Sequence, residues 1–260
     1  MMQAFVVVIP ARYGSTRLPG KPLLDLGGAP MVVRVAERAR RAGAERVLVA
    51  TDDERIVRAC AAHGVEALLT AATHETGTDR LAEVVDRLAL ADGQIVVNLQ
   101  GDEPFVAPQA VARVAALLEE DREAALATLA HPVTDARELT NPNVVKVVLD
   151  RRGRALCFSR APIPWARDAW QSGEPRALPS GLPVLRHVGL YAYRAGFLRI
   201  FPRLERPALE RFESLEQLRA LWHSYPIRVA VIDEPWPAGI DTAEDYAQAR
   251  RAWSAQNAVA

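Results

Sequence analysis

Short apolar runs alternate with stretches whose apolar positions recur every three to four residues, and this alternation holds through the first half of the chain. Phe5-Val6-Val7-Val8-Ile9 is a continuous apolar run, the pattern of a parallel strand buried on both faces. Residues 30–42 place apolar side chains at helical spacing with Arg and Glu opposite, and Gly43 follows as a stop. Residues 46–50 read as a second strand. Thr51-Asp52-Asp53 is an N-cap cluster for a helix reaching about Ala62. Further along, 67–69 is a short strand, 78–90 a helix, 94–99 a central strand, 108–120 a helix and 124–129 a strand. This order predicts a mostly parallel, Rossmann-like α/β sheet with right-handed crossovers and helices on both faces.

The second half changes character. Residues 143–150 read as a strand entering a turn at Arg152-Gly153-Arg154, with 155–159 as the return strand. A loop at 162–186, rich in Pro, Gly, Arg and Trp, is too long to be a simple connection and reads as functional or interfacial. Residues 187–193 form a strand, 208–222 one amphipathic helix, 227–232 a strand, and 242–253 a final helix capped by Thr242 with acidic residues in its first turn. The expectation is one domain over 1–260. Its nucleotide-binding half covers about 1–130, a smaller mixed-sheet subdomain about 131–225, and a strand and helix over 226–260 return to the core.

Composition narrows the partners. Lys plus Arg and Asp plus Glu both number 32 in 260 residues, so the net charge is zero and no bulk attraction to nucleic acid or a membrane surface is expected. No apolar run reaches transmembrane length and the start lacks a basic leader pattern, which points to a cytoplasmic protein without membrane insertion. Cys60 and Cys157 lie far apart and read as buried small hydrophobes in a reducing compartment.

The chemistry concentrates after the first strand. Pro10-Ala11-Arg12-Tyr13-Gly14-Ser15-Thr16-Arg17-Leu18-Pro19-Gly20-Lys21 combines glycines, hydroxyls and three cations within ten residues. Phosphate oxygens need short donors and positive charge, and open α/β sheets bind ligands at the carboxyl ends of their strands. The loop is neither the dinucleotide fingerprint nor the P-loop, since Pro22 follows Lys21, which disfavours hydride transfer and P-loop kinase chemistry. Asp102, in Gln100-Gly101-Asp102-Glu103-Pro104 after the central strand, suits a divalent cation but equally a turn or cap. Asp241 precedes the last helix and, read alone, suits a capping region. Both carboxylates beside a basic loop would make a metal-assisted phosphoryl-transfer site.

Taken together with His74-Glu75-Thr76-Gly77-Thr78-Asp79-Arg80, Phe158-Ser159-Arg160-Ala161, His187-Val188-Gly189-Leu190-Tyr191-Ala192-Tyr193-Arg194, Leu215-Glu216-Gln217-Leu218-Arg219 and Gly239-Ile240-Asp241-Thr242, these motifs run in an order that resembles the CMP-Kdo synthetase family. These enzymes are the 3-deoxy-manno-octulosonate cytidylyltransferases of lipopolysaccharide synthesis. The resemblance covers essentially the whole chain, and its N-terminal loop is shared with other sugar-acid cytidylyltransferases. It implies a nucleotidyltransferase that moves CMP from CTP to Kdo, with Mg²⁺ as cofactor and a homodimeric state in which the segment near 160–190 is a contact. It further implies that Pro10, Ala11, Arg12, Gly14, Ser15 and Lys21 wrap the triphosphate. Thr76, Gly77, Thr78 and Arg80 form a second nucleotide loop, with Arg80 near the base or ribose. Asp102 and Asp241 are the implied magnesium ligands. Gln100, which also belongs to the nucleotide set, is expected with Arg160, His187, Tyr191 and Glu216 to hold the sugar acid. Lys21, Arg12, Asp102 and Asp241 are the implied catalytic residues. Rival readings are an acceptor such as sialic acid or an amino-substituted Kdo, or a nucleotide-sensing protein that has lost catalysis.

Overall fold

The computed structural model describes residues 4–14, 17–170, 177–234 and 236–257. They cluster into two compact units. The first takes the chain up to Ala116, Tyr193–Pro202 and the stretch from Pro237 onward; the second takes Leu117–Ala192 and Arg203–Trp236. The boundaries read from the sequence, near 130 and 225, thus fall elsewhere than these divisions. Residues 117–130 and the strand after 226 cluster with the second unit, and 193–202 with the first.

In the first unit, β1 (Phe5–Ala11), β2 (Arg46–Thr51), β3 (Glu66–Leu69) and β4 (Ile95–Asn98) form a parallel sheet in the order β3-β2-β1-β4. Continuous apolar runs suit this sheet because its central strands are covered on both faces. Phe5, Val7, Val8, Ile9, Ile95, Val96 and Val97 are all fully buried. The connecting helices α1 (Met31–Arg41), α2 (Glu54–Ala62) and α3 (Gly77–Arg87) pack on these strands, and α4 (Pro108–Glu120) follows β4. Asp53 caps α2 as the sequence suggests, its carboxylate accepting from the Arg55 N–H.

The second unit is a mixed sheet. Strand β5 (Leu126–Pro132) runs parallel to β9 (Ile227–Val231), and β8 (Leu185–Arg194) lies beside β5. A hairpin of β6 (Lys146–Leu149) and β7 (Ala155–Ser159) adds antiparallel pairing through β6 to β8. A short helix α5 (Ala136–Thr140), not foreseen from the pattern, supplies Leu139 to an apolar cluster with Val133, Trp170 and Val184. The long loop is thereby pinned at Trp170 and Val184.

Two expectations need correction. Cys157, unlike Cys60, is only partly buried. The single helix expected over 208–222 is two, α7 (Ala208–Glu213) and α8 (Gln217–Trp222), which follow a second unforeseen helix, α6 (Ala195–Ile200). Ser214 between them is left-handed, at φ 51°. The amphipathic pattern runs on unbroken, but both the carboxylate and the carbonyl of Glu213 are engaged by Ser159 and Arg160, which stops the helix there.

The last helix, α9 (Ala243–Asn257), returns to the first unit. Ile240, Ala249 and Trp253 join Leu18, Leu26 and Met31 in one apolar cluster. The Trp253 ring sits 5.9 Å from Phe105 and is faced by the Arg34 and Arg38 guanidiniums at 4.9 and 5.8 Å. Gly27, at φ +65°, lies directly under the indole, and a Cβ there would collide with Trp253 Nε1. Gly27→Ala is therefore expected to destabilise the protein by about 1–3 kcal/mol through backbone strain and loss of this seat. Chemical denaturation measures it; an unchanged unfolding midpoint would show that the indole does not rest on this turn.

Candidate active site

Strands β1 and β4 are parallel neighbours, so the loops leaving their carboxyl ends emerge side by side. The Leu99 N–H donates to the Val8 carbonyl at 3.2 Å, continuing the pairing past the strand. From β1 the chain turns back on itself. Gly20, left-handed at φ 68°, donates its N–H to Tyr13 O at 3.2 Å and starts the 3-10 turn Lys21–Leu23. That closure throws the Lys21 side chain back toward the sheet edge. From β4 the chain passes through Gln100 and Gly101 to Asp102. The Asp102 carbonyl accepts from the Ile240 N–H at 3.0 Å, which fastens the segment before α9 to the same place. Asp241 is next in that segment. Thr242 and Asp245 close the helix start by reciprocal capping: the Asp245 carboxylate accepts from the Asp241 and Thr242 N–H groups, and Thr242 Oγ1 accepts from the Asp245 N–H.

The outcome is a three-way ionic contact. Lys21 Nζ lies 2.5 Å from Asp102 Oδ2 and 3.0 Å from Asp241 Oδ1, and Arg17 Nη2 lies 3.1 Å from the same Asp241 oxygen. Burial alone would lower the Lys21 pKa. The charges of Asp102 and Asp241 and hydrogen bonds to them outweigh it and hold the pKa above the ordinary lysine value.

Around this contact lies an open cavity of about 340 Å³. Pro10, Ala11, Arg12, Gly14, Lys21, Gly77, Gln100, Asp102 and Asp241, all singled out from the sequence, line it. Arg17, Pro22 and Gly101 line it as well. Arg17 is one of the three cations of the loop, and that membership is the sequence signal for its place here. Ser15 lies outside the described residues. Gly77 brings the N-terminus of α3 to the cavity wall, where the helix dipole favours an anion.

Other members of the second nucleotide loop are placed differently. Thr76 and Asp79 form a capping box at the start of α3. Thr78 and Arg80 are buried, and neither lines the cavity. The Arg80 guanidinium is held by Asp52 at 2.7 Å and by Thr70 Oγ1, so it braces the loop after β2 from behind. Arg12 donates to the His74 carbonyl at 2.8 Å while the His74 ring meets Glu83.

Arg160, His187, Tyr191 and Glu216 belong to the second unit, whereas Gln100 belongs to the first. His187 and Tyr191 share one face of β8, with ring centroids 5.3 Å apart, and Phe158 meets His187 edge-on at 5.0 Å. Glu216 sits half-buried at the N-cap of α8. Thr128 Oγ1 is 2.8 Å from both the Val188 and Leu190 carbonyls and 3.1 Å from His187 Nε2. A hydroxyl has one proton, and carbonyls only accept. Thr128 therefore donates to a carbonyl and accepts from His187 Nε2–H, leaving Nδ1 as an acceptor. Although part of the residue stays accessible, its packed surroundings push the imidazole pKa from 6.5 down to about 3.

Asp102 and Asp241 fit a hard divalent cation. Their oxygens already converge on one positive charge. Among the described residues no group of three or more His, Cys, Asp or Glu could hold a metal. Two carboxylates with water and substrate oxygens completing the shell is the usual way magnesium is bound.

A model of the cytidylyltransferase family matches residues 6–228. The chain is 61% identical to a 3-deoxy-manno-octulosonate cytidylyltransferase of Halorhodospira halophila, over 95% of this chain and 96% of the relative. It is 58% identical to one of Pseudomonas fluorescens, over 96% and 98%. The chain belongs to the 3-deoxy-manno-octulosonate cytidylyltransferase family. A solved structure of CMP:2-keto-3-deoxy-manno-octonic acid synthetase complexed with CTP has a TM-score of 0.87 and 42% identity, over 98% of this chain and all of that one. A nucleotidyl transferase from Methanothermobacter thermautotroptrophicus, 16% identical with a TM-score of 0.60 over 98% and 99%, shares the nucleotidyltransferase fold. Membership of this family makes the chain an enzyme, a nucleotidyltransferase, and accords with its mostly parallel, helix-flanked sheet.

With a folded-state pKa near 3 against an ordinary 6.5, the unfolded chain binds the His187 proton more readily between those values. This stabilising contribution is complete above pH 6.5 and is lost as pH falls toward 3. The imidazole resonances of His187, assigned by their absence in His187→Gln, should keep neutral shifts from pH 8 to 5. Titration near 6.5 would contradict the packed, neutral ring.

Proposed function

We propose that the protein transfers CMP from CTP to 3-deoxy-D-manno-octulosonate, giving CMP-Kdo and pyrophosphate. The observation that carries the proposal is the convergence of Lys21, Asp102 and Asp241 at a cavity bounded by Arg12 and Gln100. Two carboxylates and several cations at the carboxyl end of a parallel sheet are suited to a metal-assisted attack on a phosphate. The names of the relatives and the CTP in the similar solved structure support the same substrates.

In this reading the first unit's cavity takes CTP. Backbone at Ala11, Gly14 and Gly77 approaches the phosphates, and Arg12, Arg17 and Lys21 neutralise them. Ser15 and Thr76 belong to the same loops. Thr78 and Arg80 hold the second loop in place from within the core. Arg160 pairs with the carboxylate of the sugar acid, while Gln100, His187, Tyr191 and Glu216 bind its hydroxyls. The neutral His187, with Nδ1 as acceptor, is in the form that takes a hydroxyl proton as a hydrogen bond.

The anomeric hydroxyl gives up its proton to solvent as its oxygen attacks the α-phosphorus in line. The bond from phosphorus to the bridging oxygen breaks, and pyrophosphate leaves with the electron pair. Asp102 and Asp241 would hold a magnesium ion, which would supply a hard positive charge to lower the pKa of the attacking hydroxyl and offset growing negative charge. Lys21 and Arg12 steady the departing pyrophosphate. Lys21 has a second use before substrates arrive: its ammonium keeps the two carboxylates together.

Asp102→Asn and Asp241→Asn should retain the fold by circular dichroism and lose turnover by on the order of 10²-fold or more, as removal of one preorganised charge does elsewhere. Pyrophosphate release, coupled to a colorimetric readout and run with CTP or UTP and several sugar acids, measures this. Wild-type rates in either variant would sink the assignment. Release with sialic acid but not Kdo would move the acceptor to another branch.

A homodimer accords with the exposed apolar side chains of the second unit. Leu156 on β7, Phe212 on α7 and Trp222 on α8 are 62, 89 and 64% exposed, and α8 packs on both α7 and β7. Light scattering on the purified protein should give twice the chain mass, and Phe212→Glu with Trp222→Glu should halve it. A monomeric wild type would remove the dimer from the reading. No described helix is long and apolar enough to cross a membrane. The free cysteines accord with a cytoplasmic site of action, where CMP-Kdo would feed lipopolysaccharide synthesis.

A further inference from the structure

Lys146 stands in a run of valines, Val144-Val145-Lys146-Val147-Val148, where a charge is out of keeping. Such lysines usually reach solvent with their ammonium. This one is fully buried. Its three N–H donors meet three backbone carbonyls: Val144 and Arg160, each at 2.6 Å, and Asn141 at 3.2 Å. Burial pulls its pKa below the ordinary lysine value; the charge of Glu213 offsets part of this and that of Arg160 adds to it. An apolar residue would fill this place without the cost of desolvating a charge, so the ammonium answers a demand that packing does not.

That demand lies at Arg160. The hairpin register sets Lys146 opposite Ser159, so one ammonium spans the turn at 141–144 and the residue just past β7. Glu213 grips the same residue as well. Its carboxylate accepts from Ser159 Oγ at 2.6 Å and from the Arg160 N–H at 2.9 Å, and its carbonyl accepts from Arg160 Nε at 2.6 Å. The Pro142 carbonyl, in the turn that Lys146 ties down, accepts from Arg160 Nη1 at 2.8 Å. The N–H, the carbonyl, Nε and Nη1 of one arginine are thus all fastened. What is left for a ligand is the outer edge of the guanidinium, where Nη1 keeps a second proton beside Nη2. That edge takes a carboxylate end-on through two parallel hydrogen bonds.

We infer that Lys146 and Glu213 are positioning residues that fix Arg160 in the one orientation able to take the carboxylate of the acceptor. The inference rests on the proposed sugar-acid role of Arg160. An arginine held this way has little rotamer freedom left to lose on binding, so its preorganisation appears as affinity for the acid.

Steady-state kinetics of the full-length enzyme with CTP, Mg²⁺ and Kdo test it. Lys146→Met and Glu213→Gln should each raise KM for the sugar acid about tenfold or more, leaving KM for CTP within about twofold. Preference for the acid over its neutral carboxamide should fall in parallel, which a loss of general stability would not cause. Arg160→Met is the reference and should show the same split. If Arg160→Met leaves the sugar-acid KM unchanged, the role of Arg160 falls and the inference with it. If Arg160→Met raises that KM while both other variants leave it and the acid preference alone, the positioning inference fails by itself. Should Lys146→Met not fold, Glu213→Gln decides by the same two readings.

Discussion

A single ammonium group holds the first unit's chemistry together. Asp102 and Asp241 come from chain segments far apart in sequence, and two carboxylates brought to one place repel each other. Lys21 lies against both and removes that conflict. The backbone is arranged to make the meeting unavoidable. The parallel register of β1 and β4 delivers two loops to one edge, and the bond from Ile240 to the Asp102 carbonyl delivers the third segment. Packing of Trp253 under Arg34, Arg38 and Phe105 anchors the helix behind Asp241.

The same economy governs the other buried cations. Arg80 is wholly enclosed and tied to Asp52 and Thr70, behind the loop that leaves β2. Lys146 is wholly enclosed and tied to carbonyls, behind the turn that leads to Arg160. Arg219 is paired with Glu210 between two short helices. In each case a charge that would be costly alone has partners, although Arg80 Nε is buried without one, and the pairing ties together separate segments of the chain.

Local pattern revealed the first half well because its strands are long apolar runs with capped helices between them. The start of β1 and the helix over 108–120 follow directly from Phe5 and from Pro108, although β1 runs past Ile9 to Ala11. The cluster lining the cavity was legible for a related reason: its residues sit in loops directly after strands, where the fold class places ligands. Failures arose where a distant partner decided the outcome. An amphipathic stretch over 208–222 looks continuous, and only Ser159 and Arg160, more than fifty residues earlier, explain why Glu213 ends a helix. Arg80 reads as a ligand cation until Asp52 is found beside it. Lys146 sits in an alternation that says strand and gives no sign that its ammonium is enclosed.

The order in which the chain visits its two units has a consequence for synthesis. Strands β1 to β4 all precede Ala116, so they are translated before any of the second unit. Asp241 emerges only after the entire second unit has been made. A nascent chain can therefore carry a finished nucleotide-binding sheet while one member of the carboxylate pair has yet to be translated. The contact of Lys21 with both carboxylates is therefore completed only by a segment translated after the second unit.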